Sequence, residues 1–314
     1  MKIDRRRFLK SASAGAVGWG GIFLPLVADT AAAAQPQPPL TSDRAVFNLG
    51  MAAYCFKPHF EFNRGKKAQV KPLDGKMIDM FGFIDYCAEQ RCAAELTSYF
   101  FPPDADEKYF RKIKRHAFKN GVPISGTAIG NNFTIGRGEK LDREIADAKL
   151  WIERADQMGA PHIRIFAGKR KELEDSPQTM EIAIESLQQC VDYAAKYGIF
   201  VGVENHGDLT PEQVIEVVNG VESDWFGVNL DTGNFFSNDP YGDLVKCAPL
   251  AVNVQVKVKM QNDVGKTFDA DFERLAKLLR DANYRGNVVL EYEEEKPFEN
   301  VPGAMDELRK HFDS

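Results

Sequence analysis

Residues 251–260 read AVNVQVKVKM. The alternation is strict: Val252, Val254, Val256, Val258 and Met260 share one face, while Asn253, Gln255, Lys257 and Lys259 share the other. A period of two is the signature of a strand. Taken alone, such a segment fits an antiparallel strand with one wet face. The surrounding chain points elsewhere, because it repeats one unit, a short apolar strand followed by a helical segment.

The strands are expected at FNLGMAAYCF from Phe47, AAELTSYF from Ala93, PISGTAIG from Pro123 and PHIRIFAG from Pro161. They continue at IFVGVENHG from Ile199, WFGVNLDTGNF from Trp225, AVNVQVKVKM from Ala251 and NVVLEYEEE from Asn287. Between them, Ile145, Ala148, Ile152 and Ala155, and then Ile184, Leu187, Val191 and Ala194, recur at helical spacing. Gly121, Gly159, Gly198 and Gly286 precede strands, where helix ends favour a residue tolerant of left-handed geometry. Eight strand-then-helix units predict an α/β fold of the (β/α)8 TIM-barrel type, one domain over residues 45–314. An open doubly wound sheet would want a glycine-rich loop after its first strand, and MAAYCFKPHF has none. In a barrel one strand face packs on helices and the other lines the lumen. The polar face of 251–260 therefore predicts a site inside the barrel mouth.

The same parity turns Glu204 inward in VGVEN, Asp231 inward in NLDTG and Glu291 inward in VLEYE, with Gln255 at a corresponding height. Three converging carboxylates repel one another unless a cation lies among them. With the amide oxygen of Gln255 they form a hard, all-oxygen donor set that suits Mn²⁺ or Mg²⁺ better than zinc. His206 lies just beyond Glu204 and is a candidate substrate contact; Lys257 is a counter-charge or a donor to a substrate oxygen. Arg164, with the parity of Phe166, and Glu95 on the second strand are further substrate-binding candidates, each with a structural ion pair as its alternative.

The N-terminus opens MKIDRRRFLK, runs through SASAGAVGWGGIFLPLVA and ends in alanines 31–34. A basic region, a modest apolar region and small residues make a secretory signal over 1–34, and RRRFLK resembles the twin-arginine type, with Asp4 where Ser or Thr is commoner. A Pro-rich leader, 35–44, follows, and export to the periplasm is the expected localisation. The apolar run is short and broken by Pro25, so no stable membrane insertion is expected after removal. Removing residues 1–34 takes away five basic and two acidic residues, so 40 and 46 become 35 and 44, a formal charge of −9. An acidic chain is a poor nucleic-acid partner. The five cysteines, Cys55, Cys87, Cys92, Cys190 and Cys247, are odd in number and form no CxxC pair, so they are expected as buried thiols.

The order Glu204, Asp231, Gln255, Glu291 in VGVEN, NLDTGN, VQVKV and VLEYE resembles the xylose-isomerase-like sugar isomerase and epimerase superfamily over nearly all of the chain after residue 45. That resemblance implies one divalent cation, Mn²⁺ or Mg²⁺, held by Glu204, Asp231, Gln255 and Glu291, and a small carbohydrate substrate. It implies proton transfer through an enediolate, with Glu204 and Glu291 as the acid and base pair. Many such epimerases carry His-x-Lys-Asp on strand seven; here Gln255 replaces the histidine, Lys257 is retained and the acid is absent. The hydroxypyruvate isomerase branch is similar in its glutamine and its Leu-Glu-Tyr string, but QNDVGKTFD stands where that branch has a Pro-Gly-Arg loop. A homo-oligomer is expected, since barrels of this type often pair. A metal-dependent lyase or dehydratase acting on a keto-sugar or glycoside shares the first chemical step, and a non-catalytic sugar-binding barrel is a third reading. The superfamily's DNA-repair endonucleases use several histidines and a basic groove, which this acidic chain with five histidines lacks.

Overall fold

Each barrel strand is a short run of aliphatic residues whose outward side chains are sealed from water. Val201, Val203, Val228, Leu230, Val254, Val256, Val288 and Leu290 all have no exposed surface. Each such burial contributes roughly 1.5–3 kcal/mol, which drives the strands under a coat of helices. In the computed structural model, which describes residues 47–67, 72 and 74–313, these strands close into an eight-stranded parallel barrel. In chain order they are β1 (Phe47–Ala52), β2 (Ala93–Thr97), β3 (Ile124–Ala128), β4 (His162–Ile165), β5 (Phe200–Glu204), β6 (Phe226–Asp231), β7 (Ala251–Val256) and β8 (Gly286–Leu290). Each pairs with its sequence neighbours, and β8 closes on β1 through Phe47 opposite Gly286 to Met51 opposite Leu290. The expected signal (1–34) and leader (35–44) lie outside the described residues. Among those described, no helix is long and apolar enough to cross a membrane.

The longer helices are α1 (Met80–Glu89), α2 (Glu107–Lys119), α3 (Glu139–Met158), α4 (Pro177–Ala195), α5 (Pro211–Gly220), α6 (Pro240–Cys247), α7 (Phe272–Asp281) and α8 (Pro297–Phe312). In α3, Leu141, Ile145, Ala148, Ile152, Ala155 and Met158 form the buried stripe, and Gly159 ends it at φ 80°. Polar caps start several of the others: Asp106 accepts from Tyr109 N before α2, Ser176 from Gln178 N before α4, and Thr210 forms a capping box with Gln213 before α5. All five cysteines are free and buried.

Two local expectations give way. The strand expected to run to Met260 ends at Val256, level with Leu290, the last residue of β8. Beyond the rim there is no neighbour to continue the ladder; the Lys257 amide donates to Thr232 Oγ1 at 3.0 Å. Lys259–Gln261 then folds back on Thr267–Asp269 as an antiparallel pair, so Lys259 leaves the lumen and pairs with Asp269. Gly286 is not a helix end but the first residue of β8; α7 is closed by Ala282, with Asn283 in the left-handed turn at φ 56°. Asparagine tolerates that region. Glycine is needed at 286 for a different reason, since a Cβ there would lie 2.6 Å from the Tyr284 hydroxyl.

Candidate active site

Parity along β4 to β8 decides which side chains enter the lumen. On β5 Gly202 and Glu204 point in, on β6 Asn229 and Asp231, and on β7 Asn253 and Gln255, as expected from the alternation. The register sets Asp231 beside Gln255 and Glu204 beside Asn229. The acids are carried at the C-terminal ends of their strands, the face of a barrel on which loops build active sites.

Glu204 is held by a positive and amide clamp. Arg164 Nε lies 2.7 Å from its Oε2, Asn234 Nδ2 donates to its Oε1 at 2.8 Å, and His206 Nδ1 is 3.4 Å from the same oxygen. Arg164 itself is buried, donates to the Ile129 carbonyl at 2.6 Å and lies over the Phe166 ring, which in turn packs against His206. Burial pushes the Glu204 carboxyl up, but Arg164 and then His206 and Lys257 outweigh it and hold the group below its usual range.

Asp231 and Glu291 share a single ammonium. Lys257 Nζ is 3.3 Å from Asp231 Oδ2, 3.1 Å from Glu291 Oε1 and 2.5 Å from Glu293 Oε2 at the half-exposed rim. Asp231 Oδ1 accepts from the Gly233 amide at 2.8 Å, whereas its buried Oδ2 accepts no hydrogen bond. Burial, which Lys257 only partly opposes, drives both carboxyls above their ordinary values; Glu204 adds to the shift at each. The position of Asp231 is set from beneath by Asn205, which exchanges hydrogen bonds with the Asp231 backbone at 2.9 and 2.8 Å.

Gln255 is engaged in a lower layer. Its Nε2 donates to Glu95 Oε1 at 2.9 Å and its Oε1 accepts from Asn229 Nδ2 at 2.6 Å. Asn253 closes the ring by donating to Asn229 Oδ1 at 2.7 Å and to Glu95 Oε2 at 3.4 Å. Glu95 therefore reaches neither a lysine nor the mouth. It is a fully buried acid among amides, pushed up to about 8 chiefly by burial and then by Glu291. Beneath it, His162 is neutral, pushed down to about 3 by burial and by Arg164, and neither ring nitrogen has a partner.

The structure thus places Glu204, Asp231 and Gln255 on β5, β6 and β7 and Glu291 just beyond the end of β8. Glu204 pairs with Arg164, Asp231 and Glu291 share Lys257, and Gln255 pairs with Glu95. Among the described residues no three His, Cys, Asp or Glu side chains converge, as they stand, in a set that could hold a metal. The donor chemistry nevertheless fits a hard divalent cation: Glu204, Asp231 and Glu291 are three buried acids facing the buried Arg164 and the partly buried Lys257, and Asp231 Oδ2 accepts no hydrogen bond.

Four participants escaped the sequence reading. Glu293 shares the parity of Glu291 and was discoverable in EYEEE. Asn205 is a fully buried amide on an outward position of a strand end, where parity wants an apolar group; that break is its signal. Asn234 and His162 carried no such signal, since a loop and a barrel floor reveal their contacts only in three dimensions.

The profile of the xylose isomerase-like TIM barrel family matches residues 83–313. No curated protein sequence matches this chain significantly. Among solved structures, D-psicose 3-epimerase from Clostridium cellulolyticum H10, described with D-tagatose, is 15% identical over 85% of this chain and 99% of its own, with a TM-score of 0.65. The 3-keto-D-glucoside 4-epimerase from E. coli is 15% identical over 84% of this chain and 99% of its own, with a TM-score of 0.59. A xylose isomerase-like TIM barrel protein from Mycobacterium smegmatis in complex with magnesium is 16% identical over 85% and 98%, at 0.59. At such identities the likeness is one of fold. The profile match spans most of the barrel in sequence, and on that ground the chain belongs to the xylose isomerase-like TIM barrel family.

Proposed function

We propose that the protein is a divalent-metal-dependent isomerase or epimerase of a sugar or keto-sugar, with Glu204 and Glu291 as its acid and base pair. The observation that carries this reading is the convergence of Glu204, Asp231 and Glu291 in the mouth against Arg164 and Lys257, with Asp231 Oδ2 facing the Lys257 ammonium but accepting no hydrogen bond. Glu204, Asp231, Gln255 and Glu291 are the residues that would hold the ion, Mn²⁺ or Mg²⁺. Bound there, the ion would polarise a substrate carbonyl and its neighbouring hydroxyl.

The protein's own groups divide the proton work. Glu204, kept ionised by Arg164, is the better proton acceptor at neutral pH. Glu291, raised by burial, is the better group to retain and return a proton. The two stand on β5 and at the end of β8, so they approach a bound sugar from different sides. Return to the same carbon gives epimerisation; return to the adjacent carbon gives isomerisation. Lys257 offers a donor to an oxygen on which negative charge grows, and Glu293 is the rim carboxylate on which it rests when it leaves Asp231 and Glu291. In its glutamine at 255 and its Leu290-Glu291-Tyr292 string the chain is similar to the hydroxypyruvate isomerase branch, with a ketose epimerase as the alternative. Export by a twin-arginine route would favour a free sugar over a phosphorylated one.

The test is metal content by mass spectrometry for the wild type, Glu204→Gln and Asp231→Asn, followed by solvent deuterium exchange into keto-sugars. One divalent ion per chain, lost in both variants, and exchange abolished in Glu291→Gln are expected. Wild-type protein that takes up neither Mn²⁺ nor Mg²⁺ overturns the reading.

A further inference from the structure

Two cavities lie side by side on the acid-bearing face of the barrel. One, about 430 Å³, has Phe166 and His206 in its wall, the pair that packs beside Glu204. The other, about 320 Å³, runs outward over the loops after β2 and β3 toward α3 and is walled by Tyr99, Phe101 and Trp151. Arg64, Gly130, Asn131 and Glu144 line both, so the two form one groove with these residues at the junction.

The junction is built rigidly. The Asn131 amide is locked by hydrogen bonds of 2.8 and 2.9 Å to the Phe166 backbone. The Arg64 guanidinium lies over the Tyr99 ring at 4.4 Å, and its backbone amide donates to the Tyr99 carbonyl at 2.8 Å. Among the described residues Arg64 makes no ion pair. An exposed, stacked guanidinium with free donors, set between an aromatic cavity and a polar one, is suited to oxygen-rich ligands that also present a flat C–H face.

We propose that this groove is a subsite for a second ring, and that the substrate is a glycoside or disaccharide rather than a lone monosaccharide. The reacting ring lies against Glu204, which adjoins the inner cavity through His206. The second ring occupies the cavity of Tyr99, Phe101 and Trp151, with Arg64 donating to hydroxyls at the junction. Each cavity is at the small end of ligand pockets, sized for one ring. The proposal rests on the reading of the barrel as a sugar enzyme and extends it to substrate class.

Calorimetric titration with glucose, cellobiose and maltose tests it on the purified wild type, Arg64→Ala and Glu291→Gln. At least one disaccharide is expected to bind roughly tenfold more tightly than glucose, the worth of one stacked ring. Arg64→Ala, at an exposed position, is expected to keep its melting temperature while losing most of that advantage. Glu291→Gln, without turnover, is expected to keep the preference, so a failed isomerase reading and a failed subsite give different results. Disaccharides that bind no better than glucose, or a preference that survives intact in Arg64→Ala, overturn the subsite.

Discussion

The ammonium of Lys257 lies within ion-pair distance of Asp231, Glu291 and Glu293. Removing one partner from a buried charge cluster costs roughly 3–5 kcal/mol, because the others are left uncompensated. Lys257→Met is therefore expected to lower the melting temperature in chelator and to recover more than the wild type on adding Mn²⁺; equal Mn²⁺ shifts in a thermal melt would refute that role. Glu95 gives a pH signature. Its folded value, about 8, lies above the unfolded 4.5, so below about pH 4 both states are protonated and the group costs nothing. As pH rises from 4.5 to 8 the unfolded state ionises first, and stability is lost at roughly 1.4 kcal/mol per pH unit for this one group. Denaturant midpoints between pH 5 and 8 are expected to fall for the wild type relative to Glu95→Gln, and parallel curves would show Glu95 to be ionised in the folded state. Of these two residues, the sequence marked Lys257 by its parity with Gln255 and Glu95 as a candidate on the second strand, with an ion pair as its alternative. Their partners were not legible, because Glu95 and Gln255 are 160 positions apart and meet only across the closed barrel.

At the scale of elements, β5 depends on having no side chain at 202. A Cβ there would lie 2.5 Å from His162 Nε2 and 2.9 Å from Asn229 Cβ, on strands to either side. Gly202→Ala is expected to destabilise the protein by about 1–3 kcal/mol, the usual cost of overfilling a packed interior, measured by urea unfolding. The inward parity of Gly202 was read from VGVEN, but the crowding that demands glycine was not, since it is set by neighbouring strands. The same division holds on β7. Alternation over 251–260 correctly oriented Asn253 and Gln255, then continued past the rim, because the sequence pattern does not record where the adjoining strand stops.

For the molecule as a whole, thiol chemistry reports on the closed core. All five cysteines are free and buried, and burial raises the thiols of Cys55, Cys87, Cys190 and Cys247. Native protein is expected to resist iodoacetamide at pH 8, with alkylation of all five appearing only in denaturant by mass spectrometry, and a reductant is expected to leave the melting temperature unchanged. The barrel itself was determined by the sequence alone, through eight strand-and-helix repeats and an in-or-out alternation that each element carries locally. That alternation also selected Glu204, Asp231, Gln255 and Glu291. The tertiary structure alone decided what those residues face: Arg164 and Asn234 on Glu204, Lys257 between Asp231 and Glu291, and the amide ring that draws Gln255 toward Glu95. Periodicity is a property of a few consecutive residues, whereas charge pairing depends on distances between strands brought together only when the barrel closes.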